Sequence, residues 1–257
     1  MQIKATNQYG IYTVYKLNNN ASALISVTGL NPPTADIITS PIATKDGSVF
    51  TNARAQNRNI VLTFATTGAK PESMRVSIYR VFKIKEPISL EIETGTRTAN
   101  IDGYVETITV DPFAKKQRIQ VSIICPDPYF LGAEENHVVI YPQSNIVTLS
   151  DTTHGAIFEI TATAAITGGF TIGNTLTGEE FTVDGDYQTG DKITLDTRQG
   201  LKALTLTRNG TTTNILQYMN ATKHDWIQLV PLDNNYITLS DQHLSGLVRW
   251  QTHYEGV

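Results

Sequence analysis

Paired carboxylates are the first residues of this sequence that could do chemistry. Glu91 and Glu93 stand two positions apart on a predicted strand. Their side chains therefore leave the same face, roughly 6–7 Å apart, which lies within the range of the two acids of a glycosidase. Such an enzyme also needs a cleft that binds the sugar, and no cleft-forming feature accompanies the pair. We interpret Glu91 and Glu93 as part of a solvated strand face.

A second acidic group could bind a cation. Asp184, Asp186 and Asp191 crowd a glycine-rich turn, as calcium ligands often do. The spacing of an EF-hand loop is absent, and no glutamate closes the loop. Aspartate side chains also stabilise turns by accepting hydrogen bonds from nearby backbone N–H groups. We therefore interpret the three aspartates as turn residues.

The histidines and the single cysteine form no catalytic pattern. Cys125 ends the apolar run Val-Ser-Ile-Ile-Cys, so we expect it to be buried and inert. No nucleophile elbow, dinucleotide or phosphate-binding loop, H-E-x-x-H or C-x-x-C motif occurs. The sequence predicts no catalytic residue, no cofactor, no metal site and no enzymatic activity. The histidines are dispersed, without metal-ligand spacing, and are expected on the surface or in loops: His137, His154, His224, His243 and His253.

Aromatic residues in the second half could form a platform on which a sugar ring stacks. Sandwich cores also consume tryptophan and tyrosine, so we expect most of these rings to pack inside. Both interpretations stay open at this point. The candidates are Tyr187, Tyr218, Trp226, Tyr236 and Trp250.

Composition narrows the class of protein. With 257 residues, 40% hydrophobic and 17% charged, the chain is typical of a globular protein of one large or two ordinary domains. The net charge is −4, and the densest basic cluster is only Lys115, Lys116 and Arg118. This disfavours nucleic-acid binding. A single cysteine excludes an internal disulfide, and no signal peptide or bilayer-spanning run is visible. We expect a soluble protein made in a cytoplasm, with no membrane insertion.

The first half alternates between strands and one helix. Residues 9–28 predict two strands around the turn Asn18-Asn19-Asn20, and 58–64 and 88–93 predict two more. The spacing of Met74, Ile78, Val81 and Phe82 predicts a helix over Pro71–Phe82, with proline at its first position. Residues 103–110 and 117–124 predict a hairpin with a longer loop.

Two further stretches of the first half lack periodicity. Residues 32–50 are rich in turn formers and predict an extended arm or loop. The segment Cys125-Pro126-Asp127-Pro128-Tyr129-Phe130 contains two prolines, which fix two φ angles and remove two N–H donors. It predicts a stiff exit from a sheet at the junction between the two halves.

Beyond residue 133 the pattern is entirely β. Short strands separated by turn residues predict an antiparallel sandwich. The dipeptide Asn209-Gly210 between two alternating runs indicates a type I′ hairpin. The predicted strands are 137–141, 146–149, 156–163, 168–173, 181–184, 192–196, 201–208, 212–218, 225–229, 235–239 and 247–254.

In their order and spacing these pieces resemble the distal tail proteins of long, non-contractile-tailed bacteriophages. The resemblance covers nearly the whole chain. In the first half it rests on Gly47-Ser48, Asn59-Ile60-Val61-Leu62, Ile78-Tyr79-Arg80-Val81-Phe82, Gly103-Tyr104-Val105-Glu106 and Ile119 to Phe130. In the second half it rests on Gly190 to Thr197, Leu204 to Gly210, Trp226-Ile227-Gln228-Leu229 and Tyr254-Glu255-Gly256-Val257.

The resemblance implies a mainly β protein of two domains. Residues 1–132 would form a ring-forming α+β domain, sandwich-like with one helix and an extended arm. Residues 133–257 would form a galectin-like antiparallel β-sandwich, with 244–257 either finishing it or returning to the first domain.

The resemblance also implies a structural virion protein. It would form a homo-hexameric ring, single or as two stacked rings, at the tail tip, after assembly in the host cytoplasm. Its implied partners in this baseplate hub are the tail tube protein, a tail-tip protein and a receptor-binding protein for host attachment. A carbohydrate-binding module for a host cell-surface glycan is the alternative. The candidates for contact between subunits are Pro32, Pro33, Asp36, Ile37 and Ile38 in the arm and Lys115 and Lys116 at the hairpin tip.

Overall fold

The computed structural model describes residues 1–17, 24–65, 71–110 and 117–257. It divides into two compact units, one of Met1–Ala133 with Tyr254–Val257 and one of Glu134–His253. The chain is mainly β with antiparallel pairing, as the sequence predicts. In the described part, no helix has the length and apolar character needed to cross a bilayer.

In residues 1–17, 24–65, 71–110 and 117–133, the first unit contains nine strands, one α-helix and the start of a tenth strand. They are β1 Gln2–Asn7, β2 Tyr12–Lys16, β3 Leu24–Thr28, β4 Ala35–Pro41, β5 Ser48–Ala55, β6 Arg58–Ala65, α1 Pro71–Val81, β7 Pro87–Glu93, β8 Thr98–Val110, β9 Arg118–Cys125 and β10 Phe130–Ile140. Strand β10 continues into the second unit.

Strand β8 joins two sets of strands in the first unit. Its first part pairs with β7 in the order β2-β1-β7-β8, and its later part pairs with β9 in the order β8-β9-β6-β3. A register shift between Val105 and Thr107 separates the two parts, as a bulge does where a strand turns from one sheet into another. Alternate side chains from both sets fill one core.

The sequence analysis predicts no strand at residues 2–7, and the presence of β1 there corrects it. It pairs with β2 on one side and β7 on the other. Ile3 and Ala5 are fully buried, while the residues between them are partly exposed. The alternation is present but carries only one large apolar side chain, too weak a pattern to predict a strand.

Helix α1 ends one residue before the predicted bound, and its apolar stripe is buried. Ile78, Val81 and Phe82 join the core, where Phe82 lies 6.0 Å from the ring of Phe64. Asn7 donates from Nδ2 to the carbonyl oxygens of Arg80 (3.1 Å) and Val81 (3.4 Å). These bonds satisfy carbonyls that a helix end leaves without intrahelical partners.

The stretch predicted as an extended arm or loop contains a β-hairpin. Strands β4 and β5 pair with each other from Ala35↔Ala55 to Pro41↔Ser48 and form a two-stranded sheet of their own. The sequence pattern does not indicate these strands because neither has a buried face that would require alternation. Strands β8 and β9 pair as predicted. Their connecting loop, with Lys115 and Lys116, lies outside the described residues.

The second unit contains the rest of the strands and a short 3₁₀ helix. They are β11 Gln143–Ile146, β12 His154–Gly155, β13 Ile157–Ala162, β14 Phe170–Asn174, β15 Glu179–Val183, β16 Lys192–Asp196, β17 Ala203–Arg208, β18 Thr211–Asn214, the 3₁₀ helix Leu216–Tyr218, β19 Met219–His224, β20 Gln228–Leu229, β21 Asn235–Leu239 and β22 Leu244–Tyr254, whose last residue belongs to the first unit.

Two antiparallel sheets enclose the core of the second unit. One has the order β18-β17-β16-β13-β22-β10 and the other the order β11-β21-β14-β15-β19. Asn209 and Gly210 have φ of 52° and 77° between β17 and β18, in agreement with the predicted hairpin. The sequence does not predict strand β19, because Met219–His224 lacks alternation and becomes a strand by pairing with β15. Of the strand predicted at 225–229, only Gln228–Leu229 is present, as β20.

His154 contradicts the expectation that all five histidines lie on the surface or in loops. It is buried in β12, and its ring stacks on that of His253 at 4.4 Å. Its Nδ1 lies 2.9 Å from the carbonyl of Gly155, which can only accept, so Nδ1 carries the proton. Its Nε2 then accepts from the hydroxyl of Ser150 at 2.8 Å. Burial is the main cause that lowers the pKa of His154 to about 4.

We predict that acidification destabilises the second unit through His154. The unfolded chain binds this proton near its ordinary pKa of 6.5 and the folded chain only near 4, so stability is full above 6.5 and is lost as the pH falls toward 4. The loss for this group is up to about 3 kcal/mol. Chemical denaturation at several pH values, followed by tryptophan fluorescence, measures it, since Trp226 and Trp250 both lie in this unit.

The matched variant is His154→Gln, which keeps a polar side chain but does not titrate. Its free energy of unfolding should fall less between pH 6.5 and 4.5 than that of the unmodified chain. Equal pH slopes in the two proteins would show that His154 is not the responsible group.

Candidate functional site

The hairpin β4–β5, here called the arm, exposes large apolar side chains. Ile37 is 59% exposed, Ile38 48%, Val49 54% and Phe50 61%. Isolated exposed apolar residues are ordinary, whereas a group of them on one element indicates a surface that another molecule covers. The arm is therefore the strongest candidate for a functional site in the first unit.

Polar contacts hold the base of the arm together. Asp36 accepts from Arg54 Nε at 3.1 Å and from the side chain of Gln56. The Gln56 backbone N–H donates to the carbonyl of Thr34 at 2.8 Å, which brings the two ends of the arm together. The hydrogen bonds from Gln56 and Arg54 lower the pKa of Asp36. Asp36 thus acts within the arm and at its base, while the side chains of Ile37 and Ile38 are exposed.

A buried arginine anchors the arm to its unit. Arg58 opens β6 directly after the arm and is only 4% exposed. Its Nη1 donates to the carbonyls of Gly29 at 2.6 Å and Asn31 at 2.5 Å, both of which precede the arm. One guanidinium therefore ties the chain entering the arm to the chain leaving it.

The same guanidinium reaches two more distant segments. Its Nε donates to the carbonyl of Pro128 and its Nη2 to that of Glu255, each at 2.6 Å. Its central carbon lies 4.3 Å from the centre of the Phe130 ring. Burial is the main cause that lowers the pKa of Arg58. Such a charge is tolerated inside a protein only where hydrogen bonds replace its lost water.

Gly29 lets the chain before the arm pass close to the backbone of strand β6. Its φ is +87°, and a Cβ at this position would lie 2.0 Å from the carbonyl oxygen of Asn59. Only glycine satisfies both constraints.

The last four residues complete the anchor. Val257 donates from its N–H to the carbonyl of Leu30 at 3.1 Å. Arg97 donates to the carbonyl of Gly256 at 2.9 Å and lies over the ring of Tyr254 at 4.4 Å. Residues 244–253 belong to the second unit, so strand β22 ends where this anchoring segment begins.

The Cys125–Phe130 motif lies in the first unit and runs from the last residue of β9 to the first residue of β10. Cys125 and Phe130 are fully buried, and Asp127 accepts from the N–H of Tyr129 at 3.1 Å. Burial raises the pKa of the Cys125 thiol to about 12, which suits a packing residue rather than a nucleophile. The rigid proline pair presents the carbonyl of Pro128 to Arg58.

The residues predicted to contact a neighbouring subunit lie before the arm, in its first strand, or outside the described residues. Pro32 and Pro33 lie just before the arm, next to the carbonyl of Asn31 that Arg58 binds. Asp36, Ile37 and Ile38 share strand β4. Lys115 and Lys116 lie outside the described residues, so the structure does not place them.

The acidic candidates are in structural positions. Glu91 forms an ion pair with Lys4 at 3.5 Å, and Glu93 is exposed at the end of β7. Asp191 binds Arg208, which lowers the pKa of its carboxyl. Asp184 accepts from Asn220, and Asp186 accepts from the N–H of Gly168. Across residues 1–17, 24–65, 71–110 and 117–257, no three metal-binding side chains cluster.

The aromatic candidates are divided between core and surface. Tyr187 and Trp250 are buried, so neither is available to stack on a sugar. Trp226 packs against Phe181 at 5.2 Å and lies under Lys202. Tyr218 and Tyr236 are exposed. Of the five candidates, Tyr218 and Tyr236 are therefore the ones with exposed rings.

Arg58 and Arg97 are the site residues that sequence reasoning missed. Neither belongs to a motif, and their partners are backbone carbonyls far along the chain. A single arginine after an arm-like stretch carries no local signal of such bonds.

We predict that Arg58→Met destabilises the first unit by roughly 3–5 kcal/mol, because it leaves four inward-facing carbonyls without their donor. Urea denaturation measures the loss in free energy of unfolding, and hydrogen exchange of peptides from residues 24–65 shows whether it falls in this part of the first unit. Arg54→Met is the matched control, because that exposed ion pair should contribute less than about 1 kcal/mol. Equal losses in the two variants would contradict the anchoring role.

The similarity of this chain to known proteins lies in its fold. No protein-family model and no curated protein sequence matches the chain. Among solved structures, the Dit (gp 19.1) protein of phage SPP1, described as a paradigm of the hub adsorption apparatus in phages that infect Gram-positive bacteria, matches with a TM-score of 0.72 and 14% identity over 98% of both chains. A chain of the phage P2 baseplate, in its activated conformation with Ca, matches with a TM-score of 0.50 and 12% identity over 100% of this chain and 99% of that one. The chain shares its fold, from end to end, with the SPP1 hub protein.

Proposed function

We propose that this protein is a structural, non-enzymatic component of a phage tail, forming a hexameric ring at the distal end of the tail tube. The exposed apolar arm, held at its base by the buried Arg58, is the observation that carries the proposal. The fold shared with the SPP1 hub protein over 98% of both chains supports it.

The arm is suited to a contact between copies. A closed ring needs a heterologous contact, in which one patch of each subunit meets a different patch of the next. The arm can supply one side of that contact. Its two strands pair with each other, and it exposes four large apolar side chains, Ile37, Ile38, Val49 and Phe50. Burying these side chains against a neighbour removes apolar surface from water, and their fixed base reduces the entropy lost on binding.

In this proposal the first unit builds the ring and the second, a galectin-like sandwich, lies at the periphery. The ring is single or doubled by stacking. It is a hub that joins the tail tube protein to a tail-tip protein and to a receptor-binding protein for host attachment. The protein would be assembled in the host cytoplasm and then reside in the virion at the tail tip.

We predict that replacing residues 35–55 with a short Gly-Ser linker leaves both units folded and abolishes the ring. The ends are compatible with a linker because Thr34 and Gln56 are hydrogen-bonded to each other. Light scattering coupled to size exclusion should give about 170 kDa for the intact chain, six times 28.3 kDa, and the mass of one chain for the replacement.

Point variants test the contact made by the arm without removing the whole segment. Ile38→Asp with Phe50→Asp should weaken the ring, because charges would enter an apolar contact. Leu201→Asp, at an exposed leucine of the second unit, should leave the mass unchanged. A six-chain assembly that survives replacement of the arm would refute the arm contact, and an intact chain that stays monomeric with tube and tip proteins present would refute the ring.

A further inference from the structure

A patch of exposed aliphatic side chains lies on the second unit. Val147 is 51% exposed, Leu149 71% and Leu232 73%. The alternate residues Thr148 and Ser150 are buried, so Val147 and Leu149 project to the same, outer side. Leu232 adjoins them because its N–H donates to the carbonyl of Thr148 at 3.0 Å, next to the bridge between Thr148 and Pro231. These three residues are called the aliphatic patch.

An aromatic residue borders the patch. Strand β11 runs into Val147, and its residue Asn145 pairs with Tyr236 of β21. Tyr236 is 41% exposed and extends the apolar surface along the sheet. The buried centre of a protein–protein contact is apolar and enriched in aromatic side chains, so exposed leucines beside a tyrosine suit such a centre.

The backbone holds Leu232 in a conformation that leucine disfavours. Its φ is +57°, a region that asparagine and glycine adopt more readily. The buried Asn235 fixes this turn by accepting from the N–H of Val230 at 2.8 Å and donating to the carbonyls of Val230 and Asp233. A strained, water-exposed leucine costs stability and contributes nothing to the core. Strain that persists without a structural benefit indicates a functional role.

Charge identifies the kind of molecule that fits the patch. The second unit has 13 acidic and six basic residues, a formal charge of −7, whereas the first has 11 acidic and 14 basic residues, a formal charge of +3. No lysine or arginine occurs between Arg118 and Lys192 or between Lys223 and Arg249, and both stretches contribute to the patch. Asp151 and Asp233 are exposed beside its leucines.

We propose that the aliphatic patch is a docking surface for a partner protein whose contact segment combines aliphatic side chains with lysine or arginine. The leucines supply the apolar centre, and the surrounding aspartates attract and orient a basic segment. This inference rests on the patch alone and does not require the ring.

The test uses the full chain and a fluorescent peptide in which leucine and lysine alternate. Binding is measured by anisotropy, beside peptides that alternate leucine with glutamate and serine with lysine. The leucine–lysine peptide should bind, the other two should not, and added salt should weaken the binding. Equal binding of the leucine–glutamate peptide, or no binding of the leucine–lysine peptide at millimolar concentration, would overturn the proposal.

Variants locate the binding. Leu149→Asn and Leu232→Asn should each weaken it by roughly tenfold, as expected for the loss of one buried leucine. Leu232→Asn should also raise the Tm by about 2 °C, because asparagine tolerates the positive φ. Leu201→Asn is the control and should leave the binding unchanged.

Three results would overturn the assignment. The first is unchanged binding in both patch variants, and the second is an equal loss in Leu201→Asn. The third is a fall in molar mass of Leu149→Asn relative to the unmodified chain, which would assign the patch to a contact between copies.

Discussion

The first unit depends on one buried guanidinium. Arg58 binds four backbone carbonyls that are far apart in the sequence, those of Gly29, Asn31, Pro128 and Glu255. Because all four partners are backbone carbonyls, these hydrogen bonds fix the path of the backbone rather than the position of side chains. Removing this guanidinium would leave four inward-facing carbonyls without their donor, which is costlier than losing an ordinary contact.

This anchor gives the arm a defined base while leaving its outer part uncovered. Gly29 and the proline pair around Asp127 supply the close approach and stiffness that the anchor requires. The terminal segment adds a further backbone bond to Leu30. An element that is rigid at its base and apolar at its surface binds with less entropic cost than a mobile loop.

Much of the fold could be predicted where a pattern is local. The stripe of Ile78, Val81 and Phe82 predicts the helix, and Asn209-Gly210 predicts the hairpin. Strand β1 could not be predicted because its alternation carries only one large apolar side chain, and β19 because it lacks alternation. The two strands of the arm could not be predicted because neither has a buried face. The site shows the same division. The arm was visible as a stretch without periodicity, whereas Arg58 and the buried His154 acquire their roles from segments that meet only in the folded chain.

In the proposed ring, the anchored arm leaves its own unit and is covered by another copy of the chain. A cryo-electron microscopy map of the purified assembly would show where the arm lies. We expect a six-fold ring in which residues 35–55 of each copy lie on the neighbouring copy, with Arg58 at the base of the arm. A ring in which the arm lies free in solvent or packs on its own chain would contradict the account.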